Sequence, residues 1–205
     1  MILAGFLLIL RHIALSMFRF VKNFLRKRLL KRLPAGIEPV FPTIDKLGDV
    51  AVVFKMDKGE DAVQLMTMVE RLVLQGAQFR YFAVETGKCF KESRLRDEFV
   101  QWCKDKNVGY IGKSDVKWSG APVEFPQHEV FNAPNDMLVV LNDTCNFTTD
   151  YLALNIKAKF IASNKESSFI KHNLVLQTSN RNFTAMEYME NLFDYLRKMS
   201  RKDGE

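Results

Sequence analysis

Between residues 49 and 199 the chain alternates short unbroken apolar runs with stretches whose apolar residues recur every three or four positions. DVAVVFK (49–55), QFRYFAV (78–84), VGYIG (108–112), DMLVVLN (136–142) and AKFIAS (158–163) are β-rich runs of strand length, and NLVLQT (173–178) is a further one. Ala62, Leu65, Met66, Val69, Leu72 and Val73 follow helical spacing, with Gly76 as a closing residue. Residues 92–106 turn Leu95, Phe99, Trp102 and Cys103 to one side, and residues 147–156 make a short helix. Thr184–Met199 aligns Met186, Met189, Leu192, Phe193 and Leu196 behind a Thr184/Glu187 capping box.

Strands without polar alternation are buried on both faces, and their alternation with helices calls for a parallel arrangement. The pattern predicts an α/β fold: a Rossmann-like, doubly wound, mostly parallel sheet of five to six strands, preceded by a basic amphipathic or hydrophobic N-terminal helix. Residues 1–36 form that helix, IEPVFPTIDKLG (37–48) is a linker with two prolines, and 49–200 is the α/β domain.

Charge changes the picture of the first segment. The formal net charge is +6, with 30 basic and 24 acidic residues. Residues 1–36 contain Arg11, Arg19, Lys22, Arg26, Lys27, Arg28, Lys31 and Arg32 and no acid, so the rest of the chain is slightly acidic. The positive charge therefore marks one segment and does not make the domain a general polyanion binder.

A cleavable secretory signal carries its charge before its apolar stretch, whereas here Arg11 follows MILAGFLLIL. A spanning helix over residues 2–21 would set Arg11 near the bilayer centre, at a cost of about 2.5–3.5 kcal/mol against some dozen favourable apolar residues. Such a span leaves the basic cluster, and the domain with it, in the cytoplasm.

From Met17 to Lys27 a helix instead places Met17, Phe18, Phe20, Val21, Phe24 and Leu25 on one side. Arg19, Lys22, Asn23, Arg26 and Lys27 take the other, the pattern of an interfacial helix. Beyond Lys27 the faces exchange, since Arg28, Lys31 and Arg32 fall on the apolar side. That conflict calls for a bend near Lys27 or for docking of Leu29, Leu30 and Leu33 on the domain. Seven clustered cations, at about 1 kcal/mol each on anionic lipid, make an electrostatic anchor. Arg19, Lys22, Arg26, Lys27, Arg28, Lys31 and Arg32, with Phe18, Phe20 and Phe24, are accordingly the expected contacts to an anionic membrane surface. A protein partner is a further expectation, and RNA ranks lower because no stacking platform is legible.

Ligands of doubly wound folds collect beyond the C-terminal strand ends. That rule nominates Lys55, Asp57 and Lys58, then Glu85 and Thr86, then Lys113, Ser114 and Asp115, then Asn142, Asp143 and Thr144, and finally Ser163, Asn164 and Lys165. Specific templates are missing. The first βα turn, KMDKGEDA, has a single glycine and matches neither a dinucleotide turn nor a phosphate loop. No G-x-S-x-G elbow occurs. His12, His128 and His172 have no ligand spacing, so neither a metal nor a cofactor is expected. Cys89, Cys103 and Cys145 suit reduced cytosolic thiols, and Cys145 with His172 is a weak nucleophile pair.

DVAVVF, DVKWSGAPVE, NDMLVVLND with YLALNIKAKFIAS, and the closing DYLRKM together resemble a family of short uncharacterised Bacteroidota proteins, classed only as a domain of unknown function. The resemblance covers about residues 17–199. It implies a basic-hydrophobic leading helix, a small α/β domain, and a loop formed here by Asp115, Trp118, Gly120 and Pro122. No activity comes with it. The stretch around NDMLVVLND is also similar to the acceptor half of heptosyltransferase-like glycosyltransferases, which implies a shared fold only. Trp118 is expected to plug its loop.

The expected function is a membrane-peripheral α/β binding or adaptor module at the cytoplasmic face of the membrane. The alternatives are an enzyme on a small phosphorylated or sugar-like substrate, and an RNA- or ribosome-associated protein. The expected ligand-binding residues are Lys55, Asp57, Lys113, Asp115, Trp118, Asp143 and Thr144, with no catalytic residue assigned.

Overall fold

Val50 to Phe54 form an apolar run with no polar position to turn toward water, so this strand must be covered above and below. A computed structural model of the chain provides that cover. It describes residues 2–30, 40–142, 144, 146–167, 169–177 and 184–202, and gives only the backbone for 2–10, 13, 14, 201 and 202. Lys31, Arg32, Leu33, Asp143 and Cys145 lie outside the described residues.

The strand Asp49–Met56 (β1) lies at the centre of a six-stranded sheet. Gln78–Glu85 (β2) and Gly109–Ile111 (β3) extend it on one side. Asn135–Leu141 (β4), Ala158–Ser163 (β5) and Leu174–Val175 (β6) extend it on the other. The order is β3-β2-β1-β4-β5-β6 and every pairing is parallel. The predicted mostly parallel, Rossmann-like sheet is thus wholly parallel, with six strands.

Helices cover both faces, starting with Ile2–Leu30 (α1), Gly59–Arg71 (α2) and Ser93–Asp105 (α3). Glu129–Asn132 (α4), Phe147–Leu154 (α5) and Ala185–Lys202 (α6) complete the set. Val50, Val52, Phe54 and Met56 pack with residues of α2, α3 and α6. Ala51 and Val53 pack with residues of α4 and α5, including Val130, Leu152 and Ala153.

Local chemistry fixes the helix ends. Asp61 in the first turn of α2 accepts from the backbone N–H groups of Asp57 (2.7 Å) and Lys58 (2.8 Å). Asn146 caps α5 by accepting from Thr148 N (2.8 Å) and Thr149 N (3.3 Å). The Thr184/Glu187 box closes as its spacing predicts, with Thr184 N to Glu187 Oε2 at 2.8 Å and Glu187 N to Thr184 Oγ1 at 3.2 Å.

Three local expectations differ. α2 ends at Arg71, before Gly76, which takes a positive φ of 82° in the turn entering β2. α4 interrupts what reads as a polar connection, capped by His128 Nδ1 accepting from Val130 N at 3.2 Å. Residues 40–48 pack on the domain: Ile44 and Leu47 are buried, and Phe41 meets Phe160 edge-on.

α1 runs unbroken through Lys27. No bend therefore resolves its conflicting faces; Leu29 and Leu30 are half-buried, and Leu33 lies outside the described residues. Among the described residues no helix is long and apolar enough to cross a membrane. The residue 2–21 span weighed from the sequence includes residues whose side chains are not described.

Leu192 of α6 is fully buried in the larger core, while Val73 is 84% exposed. Leu192→Ala should cost about 2–5 kcal/mol of unfolding free energy in urea titrations. Val73→Ala should stay within about 0.5 kcal/mol of the parent.

Candidate functional site

Strand order reverses at β1: the chain continues outward through β2 and β3, then returns to add β4 on the other side. The loops leaving β1 and β4 therefore part at their C-terminal ends, the place where such sheets take their ligands. Lys55 stands there. Phe54 and Met56 face the core beneath α2 and α6, so Lys55 between them projects from the α5 face. Its ammonium is ion-paired with Asp57 and donates to Thr144 Oγ1 at 2.7 Å. The other oxygen of Asp57 accepts from the Thr86 hydroxyl, just beyond β2.

Four side chains from three strand ends thus form one chain of bonds, Thr144–Lys55–Asp57–Thr86. It depends on a close approach of backbones. A Cβ on Gly87 would lie 2.0 Å from the Asp57 carbonyl oxygen, so only glycine lets the loop after β2 pass. Burial alone would push the Asp57 carboxyl up. Hydrogen bonds from Lys55 and Thr86, with the charges of Lys55 and Lys58, outweigh burial and hold the carboxyl below its ordinary range. The pair is a fixed carboxylate beside a buried ammonium.

The parallel register pairs Phe54 with Leu141, so the next residues, Lys55 and Asn142, leave neighbouring strands on the same face. Asn142 is 4% exposed, and its backbone N–H donates to Asn164 Oδ1 at 2.8 Å. Asp150, in the first turn of α5, is wholly buried; Oδ2 accepts from Ser167 Oγ at 2.5 Å and, among the described residues, Oδ1 has no partner. Burial pushes this carboxyl up to about 6, only partly offset by the Ser167 hydroxyl.

The remaining expected ligand residues do not join this group. Lys113 is exposed, and Asp115 accepts from Gly112 N at 2.9 Å and from Ser114 Oγ at 3.1 Å. Trp118 does not plug its loop. It is half-exposed at the tip and meets the Phe18 ring of α1 at 5.1 Å. Asp143 falls outside the described residues.

That loop is where α1 docks. Arg26 Nε donates to Ser119 O at 2.9 Å, and its guanidinium lies 4.6 Å from the Phe147 ring centroid. Gly120, at φ 98°, lets the loop touch Phe147, since a Cβ there would stand 2.6 Å from the ring. Burial, then the nearby Arg26, lowers the Lys22 ammonium pKa. The contact side thus carries Phe18, Lys22, Leu25, Arg26 and Leu29. Met17, Phe20, Val21 and Phe24 face solvent with Lys27 and Arg28 beside them, and Arg19 is exposed as well. The sequence wheel sorted these residues by type; the structure turns part of the basic side inward and most of the apolar side outward. Only the position of Arg26 against the Ser119–Gly120 turn reveals this, and no sequence signal carries that contact.

Among the described residues no group of His, Cys, Asp and Glu could hold a metal ion. Cys89 and Cys103 are buried free thiols, both pushed up to about 12 chiefly by burial, which suits inert core sulfur.

Residues 19–199 match a family described as a family of unknown function (DUF6913). No curated protein and no solved structure matches the chain.

Two predictions follow from the buried charges. Asp57→Asn strands the Lys55 ammonium and should cost about 3–5 kcal/mol in urea unfolding, much of it recovered in the Asp57→Asn/Lys55→Met double variant. Asp150 has a folded-state pKa above its unfolded value of roughly 3.9, so its neutral form favours folding. That contribution is complete below about pH 4 and is lost as pH rises through about 6. Asp150→Asn should match the parent near pH 4 and exceed it at pH 7 by on the order of 2 kcal/mol. Parallel curves for the two proteins from pH 4 to 7 would exclude this assignment.

Proposed function

We propose that this chain, which belongs to the family of unknown function DUF6913, is a membrane-peripheral binding module, held by α1 on the anionic cytoplasmic face of the membrane. One observation carries the reading: α1 is fastened to the domain through Arg26 while Phe20 (72% exposed), Met17 (64%) and Phe24 (59%) stay in solvent. A helix that only covered the domain would turn these side chains inward. Fully burying each is worth about 1.5–3 kcal/mol, and that gain is left unused.

Lys27 and Arg28 flank the same side, and an interfacial helix uses this pairing, with rings at the acyl boundary and cations among headgroups. Each cation contributes about 1 kcal/mol on anionic lipid, so rings and charges act together. RNA is less well served: the rings sit on a convex helix and not on a sheet platform where bases could stack in series.

The domain would ride at the surface with its Trp118 loop and the start of α5 next to α1. The full chain should float with vesicles containing phosphatidylglycerol and stay down with pure phosphatidylcholine. Phe20→Ser/Phe24→Ser should abolish flotation without lowering the unfolding midpoint, because both rings are exposed. Flotation of that double variant at the parent level would overturn the reading.

A further inference from the structure

The crevice between the ends of β1 and β4 holds more hydrogen-bonding capacity than the protein uses. Lys55 has three ammonium protons. Two serve Asp57 and Thr144, and among the described residues the third has no partner, although Lys55 is only 6% exposed. Thr144 accepts from Lys55 through its oxygen and keeps its own hydroxyl proton for donation at an exposed position. Among the described residues the Oδ1 of Asn142, 4% exposed, has no partner. Thr149 in the first turn of α5 is wholly buried, and among the described residues its Oγ1 has no partner either.

A buried polar group without a partner costs about 1–3 kcal/mol, and folds rarely retain one without a use. Asn142 directly follows β4, at the end of the strand where a parallel sheet takes its ligands. Phe54 pairs with Leu141, so Asn142 leaves β4 one position beyond the last rung, as Lys55 does on β1.

We propose that this crevice binds a phosphate ester bearing a neighbouring hydroxyl, its phosphate oxygens accepting from Lys55 Nζ and Thr144 Oγ1 and its hydroxyl donating to Asn142 Oδ1. The N-terminus of α5 adds positive potential at the same end. Asp57 cancels the lysine charge, so recognition rests on directed bonds more than on net attraction. Inorganic phosphate alone is therefore a poor ligand, and the hydroxyl contact sets the preference. The same chemistry occurs in a soluble polyol phosphate and in a phosphoglycerol lipid headgroup. Phe147, the first residue of α5, lies under Arg26, which puts the crevice close to α1.

The test titrates the full chain with inorganic phosphate and with glycerol 3-phosphate, following amide shifts. Glycerol 3-phosphate should bind about tenfold more tightly than phosphate, the effect of one well-made hydrogen bond. Thr144→Val should weaken both ligands about tenfold, and Asn142→Ala should remove the preference while leaving phosphate binding unchanged. Thermal unfolding of each variant verifies that it is folded.

Phosphatidylglycerol vesicles, added to the Phe20→Ser/Phe24→Ser chain, separate the two sources. Competition with glycerol 3-phosphate assigns the headgroup, and no competition assigns a soluble ester. Absence of binding by either probe, or unchanged binding in Thr144→Val, overturns the proposal. Because these titrations need no membrane, their failure is separate from failure of the flotation experiment.

Discussion

β1 has neither a free edge nor a free face. It hydrogen-bonds to β2 and β4, and it packs against α2 and α6 on one side and α5 on the other. A strand so enclosed can carry polar side chains only where it emerges, and Lys55 is the first such position at its C-terminal end. There the strand order reverses, so the neighbouring loops diverge and the lysine can meet partners from both sides. Burying its ammonium without a counter-charge would be prohibitive. Asp57 supplies that charge, Thr86 and Thr144 satisfy further bonds, and Gly87 leaves room for the backbone that brings Thr86 close.

A second constraint governs α1. Its side chains cannot satisfy the domain and remain amphipathic in one sense along the whole length, because the apolar and basic stripes exchange after Lys27. The domain resolves the conflict by taking Arg26. The guanidinium finds a carbonyl at Ser119 and a ring at Phe147, so a basic residue becomes the anchor while phenylalanines are left outside. A planar cation with an aliphatic stem suits this role, since it can lie on a ring face and still donate in its own plane. The Trp118 loop takes part by the same logic, its exposed ring resting on Phe18. The anchor helix and the strand-end crevice consequently meet at one short element, the first turn of α5.

Legibility followed range. β4 could be read from DMLVVLN because five consecutive buried apolar residues leave little alternative, and the Thr184/Glu187 cap because both partners lie within one turn. α4 was hidden, since four residues carry no period and its cap is a histidine. In the site, Lys55, Asp57 and Thr144 could be named from their places at strand ends, but their union could not. Thr144 is 89 residues from Lys55, and the bond exists only because β1 and β4 are neighbours. Asp150 gave no warning at all, since FTTDYLAL reads as an ordinary first turn and its hydroxyl partner, Ser167, lies 17 residues further on.

The sequence by itself determined the α/β class, the doubly wound plan, the segregation of positive charge into the first segment, and which residues could reach the strand ends. Each of these depends on local composition, on period, or on rules that hold for any parallel sheet. Only the tertiary structure decided which strand-end residues meet, which buried polar atoms go unpaired, and which side of α1 faces the domain. Those outcomes depend on contacts between residues dozens of positions apart, and their geometry is fixed only once the sheet order and the loop paths are set.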